Sequence, residues 1–342
     1  MGANSARGFV SFFNEMYNEN FKKVIIIKGG PGTGKSSLMK KIADTSGGII
    51  ERIYCSADPD SLDAVIWGDG KYCILDGTAP HVTDPKFPGV IDHIFDTGRF
   101  WDTYKLAANK EKIVEISRRK TKLFSQAYKF VNTAGIALHE NCDIATKSIK
   151  QDKLNAYMEK LIDDEIPQTG GNGREKRRFL CAVTPKGIRC FYDTVGYLCD
   201  RIIVFEDEYS ITHSIMKKIC ETAPERGHDI YSCHCGIQPE HIDHVIIPSL
   251  RTAFVSSNEL HKYEGSAFRT VNTKNFIDTS ELKANRAKFA FNKRSIREML
   301  DEAVFKLSEA KELHGLLEEI YSDAMDFDAM NAAFEGFTIG SL

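Results

Sequence analysis

No stretch of the chain is apolar for the ~18–20 residues that a bilayer-spanning helix needs, so no membrane segment is expected. The opening residues, Met1 to Arg7, are small and polar, with no apolar run behind them, and no secretory signal is expected either. An excess of one charge is lacking too. Lys and Arg number 45 against 48 Asp and Glu, a net charge of −3, which gives no global attraction for nucleic acid or an anionic membrane. The basic runs carry no interleaved aromatics of the kind that stack bases. The nine cysteines are odd in number and scattered over 342 residues, so reduced thiols in a cytoplasmic protein are expected rather than a disulfide framework. What remains is an ordinary soluble composition, 42% apolar and 27% charged, in a chain long enough for two domains.

Against that background one segment stands out. Val24-Ile25-Ile26-Ile27 is a β-branched run, as in a strand buried on both faces. It leads directly into Gly29-Gly30-Pro31-Gly32-Thr33-Gly34-Lys35-Ser36, and Lys35 to Asp44 then shows helical spacing at Leu38, Met39 and Ile42. Strand, glycine loop and helix in that order are the context of a phosphate-binding loop. Its glycines let backbone N–H groups point inward, and the helix adds its positive end. Lys35 is expected to reach the β- and γ-phosphates of ATP, Ser36 to ligate Mg²⁺, and Ser37 to complete the binding set.

A second strand, Tyr72 to Leu75, ends at Asp76, where a carboxylate that holds Mg²⁺ is expected. The glutamate that many ATPases place next is here Gly77, so a water-orienting group must come from elsewhere. A strand over Ile49 to Cys55 is expected beside the glycine-loop strand, followed by a loop carrying Asp58, Asp60 and Asp63. Asp58 is a candidate for orienting water, contacting the metal indirectly or holding a second substrate. An Asp/Pro/Ser turn with capping residues explains the same pattern. His81 is a candidate acid or base, or an ordinary loop histidine.

The chain also repeats itself. Gly8 to Asn14 resembles Gly187 to Asp193, and Met39 to Ile42 recurs as Met216 to Ile219. Cys55, Asp63 and His81 match Cys235, Asp243 and His261 at one offset of 180 residues (235 − 55, 243 − 63, 261 − 81), and Asp96-Thr97 is paired with Asp278-Thr279. In this register Ile202-Ile203-Val204 retains the strand, while Glu206 to His213 replaces the glycine loop. No glycine survives there, Thr212 stands for Lys35 and Ser256 for Asp76. Acids would face the phosphates, so the second copy reads as a retained fold without a nucleotide site.

The motifs GGPGTGKSSLMKKI, CSADPDSLDAVI, LDGTAPH, TPKG and DHVIIPSL, spread over nearly the whole chain, resemble a bacterial family, mostly from Firmicutes, of tandem-duplicated P-loop ATPase-like proteins. The resemblance implies nucleotide binding and says little about a pathway. Members often keep a working loop in both halves, and this sequence departs from them in the second.

The expected architecture is α/β, two tandem P-loop domains with mostly parallel sheets and helical appendages. Residues 1–166 form the working copy, 167–178 a linker and 179–342 the degenerate copy. Helical stretches are read at Trp101 to Val131, Lys147 to Asp164 and Ser280 to Ala324, and they or the second half could present a surface to a protein partner. The basic runs Arg118-Arg119-Lys120 with Lys122, and Arg174 to Arg178, either act on phosphates or solvate a surface. Cys233, His234, Cys235, His241 and His244 are zinc-ligand types whose spacing fits no familiar finger. The function expected is a slow or partner-stimulated ATPase. The alternatives are a small-molecule or nucleotide kinase, and a nucleotide-gated switch or scaffold.

Overall fold

The β-branched runs become the inner strands of two sheets in the computed structural model, which describes residues 2–339. Among these residues the chain is a mixed α/β protein. It opens with a hairpin of β1 (Ala3–Ser5) and β2 (Gly8–Val10). The first core follows: β3 (Lys23–Lys28), α1 (Lys35–Thr45), β4 (Glu51–Tyr54), β5 (Leu62–Trp67), β6 (Tyr72–Asp76) and β7 (Asp92–Asp96). Three helices come next, α2 (Thr103–Ala108), α3 (Lys110–Thr146) and α4 (Gln151–Glu165). After β8 (Glu175–Arg178) the pattern begins again with a hairpin of β9 (Cys181–Thr184) and β10 (Gly187–Cys190), then α5 (Asp193–Leu198). The second core is β11 (Arg201–Glu206), α6 (Thr212–Glu225), β12 (Ile230–His234), β13 (Ile242–Ile247), β14 (Thr252–Ser257) and β15 (Arg269–Asn272). Helices α7 (Thr279–Ala284), α8 (Arg286–Asp323) and α9 (Phe327–Ile339) close the described chain.

The first sheet has the order β4-β5-β6-β3-β7, and the second β8-β12-β13-β14-β11-β15. With β8 set aside the two orders are the same, and so are the senses. The loop-bearing strand lies between two parallel neighbours, and the two strands on the far side are antiparallel. The repeat extends to the hairpins. Ser5 Oγ donates to the Gly8 carbonyl and accepts from Arg7 N, and Thr184 Oγ1 does the same with Gly187 and Lys186.

Several expectations change. The sheets are mixed rather than mostly parallel. β4 does not lie beside β3 but at the sheet's far edge, because a tight turn at Asp58–Ser61 (Ser61 N donating to the Asp58 carbonyl at 2.8 Å) sends the chain straight back as β5. Asp63 is therefore a buried strand residue, not a loop acid. Part of the expected linker, Glu175–Arg178, is an edge strand parallel to β12, a position where charged side chains are tolerated because one side meets water. Asp278-Thr279 corresponds to Asp102-Thr103, since each aspartate caps the first helix after its sheet; the partner of Asp96-Thr97 is Asn272-Thr273, at the end of β15. Cys181 and Cys190 stand opposite each other across the β9–β10 hairpin and form a disulfide, against the expectation of reduced thiols; the other seven cysteines are free. No described helix is long and apolar enough to cross a membrane.

The chain packs as two units whose composition differs from the 1–166 and 179–342 division read in the sequence. One is built from Ser11–Ala127 and the chain from Phe305 onward, the other from Ala3–Val10 and Tyr128–Val304. In the first, Met330 and Phe334 of α9 join Ile25, Ile27, Leu38 and Met39 in one core face. In the second, Leu154, Leu161 and Ile162 of α4 join Ile203, Phe205 and Met216. Each sheet is thus covered by a helix that follows the other sheet in sequence.

Candidate functional site

Parallel pairing of β3 with β6 places Ile27 opposite Asp76, so the glycine loop and the carboxylate leave the sheet side by side. The loop turns through Gly32 and Gly34, both at positive φ (67° and 80°), where a β-carbon would strain the backbone. Gly34 is also the N-cap of α1, so the loop delivers its last N–H groups to the helix start. Thr33 is buried and braces the turn. Its hydroxyl donates to the Gly30 carbonyl at 2.9 Å and accepts from Thr97 Oγ1 at 3.0 Å, and Thr97 also bonds the Lys28 carbonyl. Thr97, just after β7, shows in the sequence only as part of the Asp96-Thr97 repeat; its counterpart Thr273 bonds the Glu206 carbonyl in the second half.

Lys35 folds over the loop, donating to the carbonyls of Gly29 (3.2 Å) and Gly30 (2.5 Å), with its ammonium 3.6 Å from Asp76 Oδ2. Asp76 Oδ1 accepts from Thr78 N and Oγ1 at 2.8 and 2.5 Å. Ser36 Oγ accepts from Leu62 N at 2.9 Å, which ties α1 to the start of β5. Lysine and carboxylate therefore meet at the strand ends, while the Ser36 hydroxyl stands at the start of α1 against β5. Ser36 and Asp76 offer the hard oxygen donors that Mg²⁺ selects.

Asp58 sits in the turn between β4 and β5. It accepts from Ser61 Oγ and, at 2.8 Å, pairs with Lys311 of α8. Burial works against its charge, but the bond from Lys311 and then that from Ser61 outweigh it and lower its pKa. His81 stacks on Phe13 at 4.8 Å and holds Nε2 3.5 Å from Asp63 Oδ2. Burial opposes the charged ring, yet Asp63 and then Asp76 prevail and its pKa is raised. The matching pair in the second half, His261 and Asp243, stands at 3.7 Å, with Tyr192 Oη at 3.3 Å from His261 Nδ1 and Asn258 Nδ2 at 3.0 Å from Nε2.

The loop after β11 solves a different problem. It runs from Asp207 to Ile211, one residue shorter than Gly29 to Gly34, and Glu206 belongs to the strand. Asp207 is buried, and its carboxylate accepts from Ile211 N at 3.0 Å, from Thr212 N at 2.9 Å and from the Thr212 hydroxyl. The protein's own anion occupies the start of α6. The acids do not all project at one point: Glu208 pairs with Lys274, and Glu206 accepts from Asn272 Nδ2.

The remaining candidates disperse. Arg118, Arg119 and Lys122 are exposed, while Lys120 turns inward. His234 Nδ1 bonds the Pro239 carbonyl, His241 stacks on His213, and His244 Nε2 lies 3.9 Å from Cys181 Sγ. No group of three or more His, Cys, Asp or Glu among the described residues is arranged to hold a metal ion. Compared with family models, with curated proteins and with solved structures, the chain finds no match in any of the three.

Proposed function

We propose that the chain is a tandem P-loop protein that binds one Mg-ATP on the first copy and turns it over slowly, or on stimulation by a partner. The observation that carries the reading is the meeting of Lys35 and Asp76 beside the ends of adjacent parallel strands, around a glycine loop that opens a helix. Lys35 would leave the Gly29 and Gly30 carbonyls for the β- and γ-phosphates, and Ser36 and Asp76 would hold Mg²⁺, which supplies charge neutralisation when bound. Gly77 after Asp76 leaves hydrolysis without an adjacent carboxylate, in keeping with slow turnover. Asp58, engaged with Lys311 and Ser61, serves the architecture in this reading rather than the chemistry. Phosphate release from ATP and from GTP, measured with and without cell extract for the intact chain and for Lys35→Ala, tests it. Turnover that survives in Lys35→Ala would sink the assignment.

A further inference from the structure

The glycine loop is not open on its outer side. A β-carbon at Gly32 would stand 2.7 Å from Glu318 Cα and run into the Glu318 carbonyl, and one at Gly30 would stand 2.8 Å from the Tyr321 ring. Helix α8 thus lies against the loop. One turn back along α8, His314 faces Glu318 through Nε2 at 3.6 Å, and its Nδ1 stands 3.2 Å from the ammonium of Lys120 on α3. A chain of contacts leads from the loop through Glu318 and His314 to Lys120.

Lys120 is in an uncomfortable place for a resting cation. Burial and then, against the field of Glu318, the charge of Lys35 lower its pKa. Its polar contact is an imidazole kept neutral, since burial and then Lys120 itself push His314 down to about 4. The other lysines here have carboxylates, Lys35 with Asp76 and Lys311 with Asp58. Glu318 offsets the repulsion between the two ammonium groups, but burial still works against the Lys120 charge, and an anion that accepts from both lysines would relieve it. The γ-phosphate of a nucleoside triphosphate suits that role, because it extends one phosphate beyond the β-position and its three non-bridging oxygens can accept from two lysines.

We propose that Lys120 binds the γ-phosphate opposite Lys35, so that the site distinguishes a nucleoside triphosphate from a diphosphate; the inference rests on the nucleotide reading of the glycine loop. His314 is then the parking place of the Lys120 ammonium when no triphosphate is present. Of the basic run on α3, Arg118, Arg119 and Lys122 point to solvent and take no part.

The experiment is calorimetric titration of the intact chain, Lys120→Met, Lys120→Arg and Lys122→Met with Mg-ATP and with Mg-ADP. Removing a charged hydrogen bond to phosphate should weaken Mg-ATP about 10- to 100-fold in Lys120→Met, and leave Mg-ADP within about twofold. Lys120→Arg should recover most of the triphosphate preference, and Lys122→Met should change neither ligand. Equal losses for both nucleotides, or no loss for either, would overturn the role of Lys120 while leaving nucleotide binding by the parent chain intact. A parent chain that binds neither nucleotide would instead overturn the reading of the loop itself, and this inference with it.

Discussion

The turns after β3 and after β11 leave equivalent strands and enter equivalent helices, yet they satisfy the helix start in opposite ways. The first turns through glycines at positive φ and folds Lys35 over its own carbonyls, which in the proposed function leaves its N–H groups for a visiting anion. The second shortens the loop by one residue and seats Asp207 against Ile211 N and Thr212 N. A helix start with unsatisfied N–H groups is costly when buried, and Asp207 removes that cost at the start of α6. The comparison teaches that equivalent helix starts can be satisfied from within, by a buried carboxylate, or, in the proposed function, from without by a ligand.

The strongest way to break the comparison is stoichiometric. Mg-nucleotide should titrate to one site per chain, and Lys35→Ala should weaken binding at least roughly 100-fold, as expected for a charged group set on phosphate. Two comparable sites would mean that the second loop still binds. Asp76→Asn should lower Mg²⁺-dependent turnover roughly 10- to 100-fold while changing metal-free nucleotide binding little; equal effects would make Asp76 a turn residue bonded to Thr78 and nothing more. In the second copy, Asp207→Ala should destabilise the chain by about 3 kcal/mol, because it strands buried N–H donors. Sulfate or phosphate should return part of the loss. Unfolding curves with and without the anion measure both, and an unchanged midpoint would show that Asp207 does not act as a built-in anion.

The smallest effect expected is a difference in acid response. His213, His234, His241 and His244 in the second unit are all held neutral by burial, with pKa values below the usual histidine range and that of His213 at about 4. The unfolded chain takes up protons near pH 6.5 that these rings refuse, so stability falls as pH drops from about 6.5. In the first unit His314 behaves likewise, but the raised pKa of His81 works the other way: its contribution is fully present below about pH 6.5 and fades as pH rises through its folded value. Trp67 and Trp101, the chain's two tryptophans, both lie in the first unit. Between pH 7 and 5.5 the melt followed by circular dichroism should therefore shift down more than the melt followed by tryptophan fluorescence. Coincident shifts would contradict the assignment.

Local pattern made much of this legible beforehand. The strands Val24 to Ile27 and Tyr72 to Leu75, the helix from Lys35 and the juxtaposition of Lys35 with Asp76 follow from apolar runs, glycine spacing and the parallel pairing that such segments favour. The repeat was legible as well, apart from the pairing of Asp278, because two aspartates that each precede a threonine near a sheet edge look alike until the caps are formed. What could not be read was everything decided by distant packing. Position 120 looks no different from 118, 119 or 122 in a basic run; only α8, nearly two hundred residues on, gives it an inward face. Asp207, Glu206 and Glu208 likewise form one acidic cluster in the sequence, and only the fold separates a buried cap from two exposed partners.

The exchange of helices between the cores bears on how such a chain changes over generations. α9, encoded after the second copy, supplies Met330 and Phe334 to the core beneath the glycine loop, and α4, encoded after the first copy, supplies Leu154 and Leu161 to the other. A gene that dropped its second copy would remove part of the first copy's interior along with it. Duplicates are ordinarily free to decay, but here each sheet depends on a helix encoded after the other, and deletion of one copy is closed off. The second copy is retained as framework for the first.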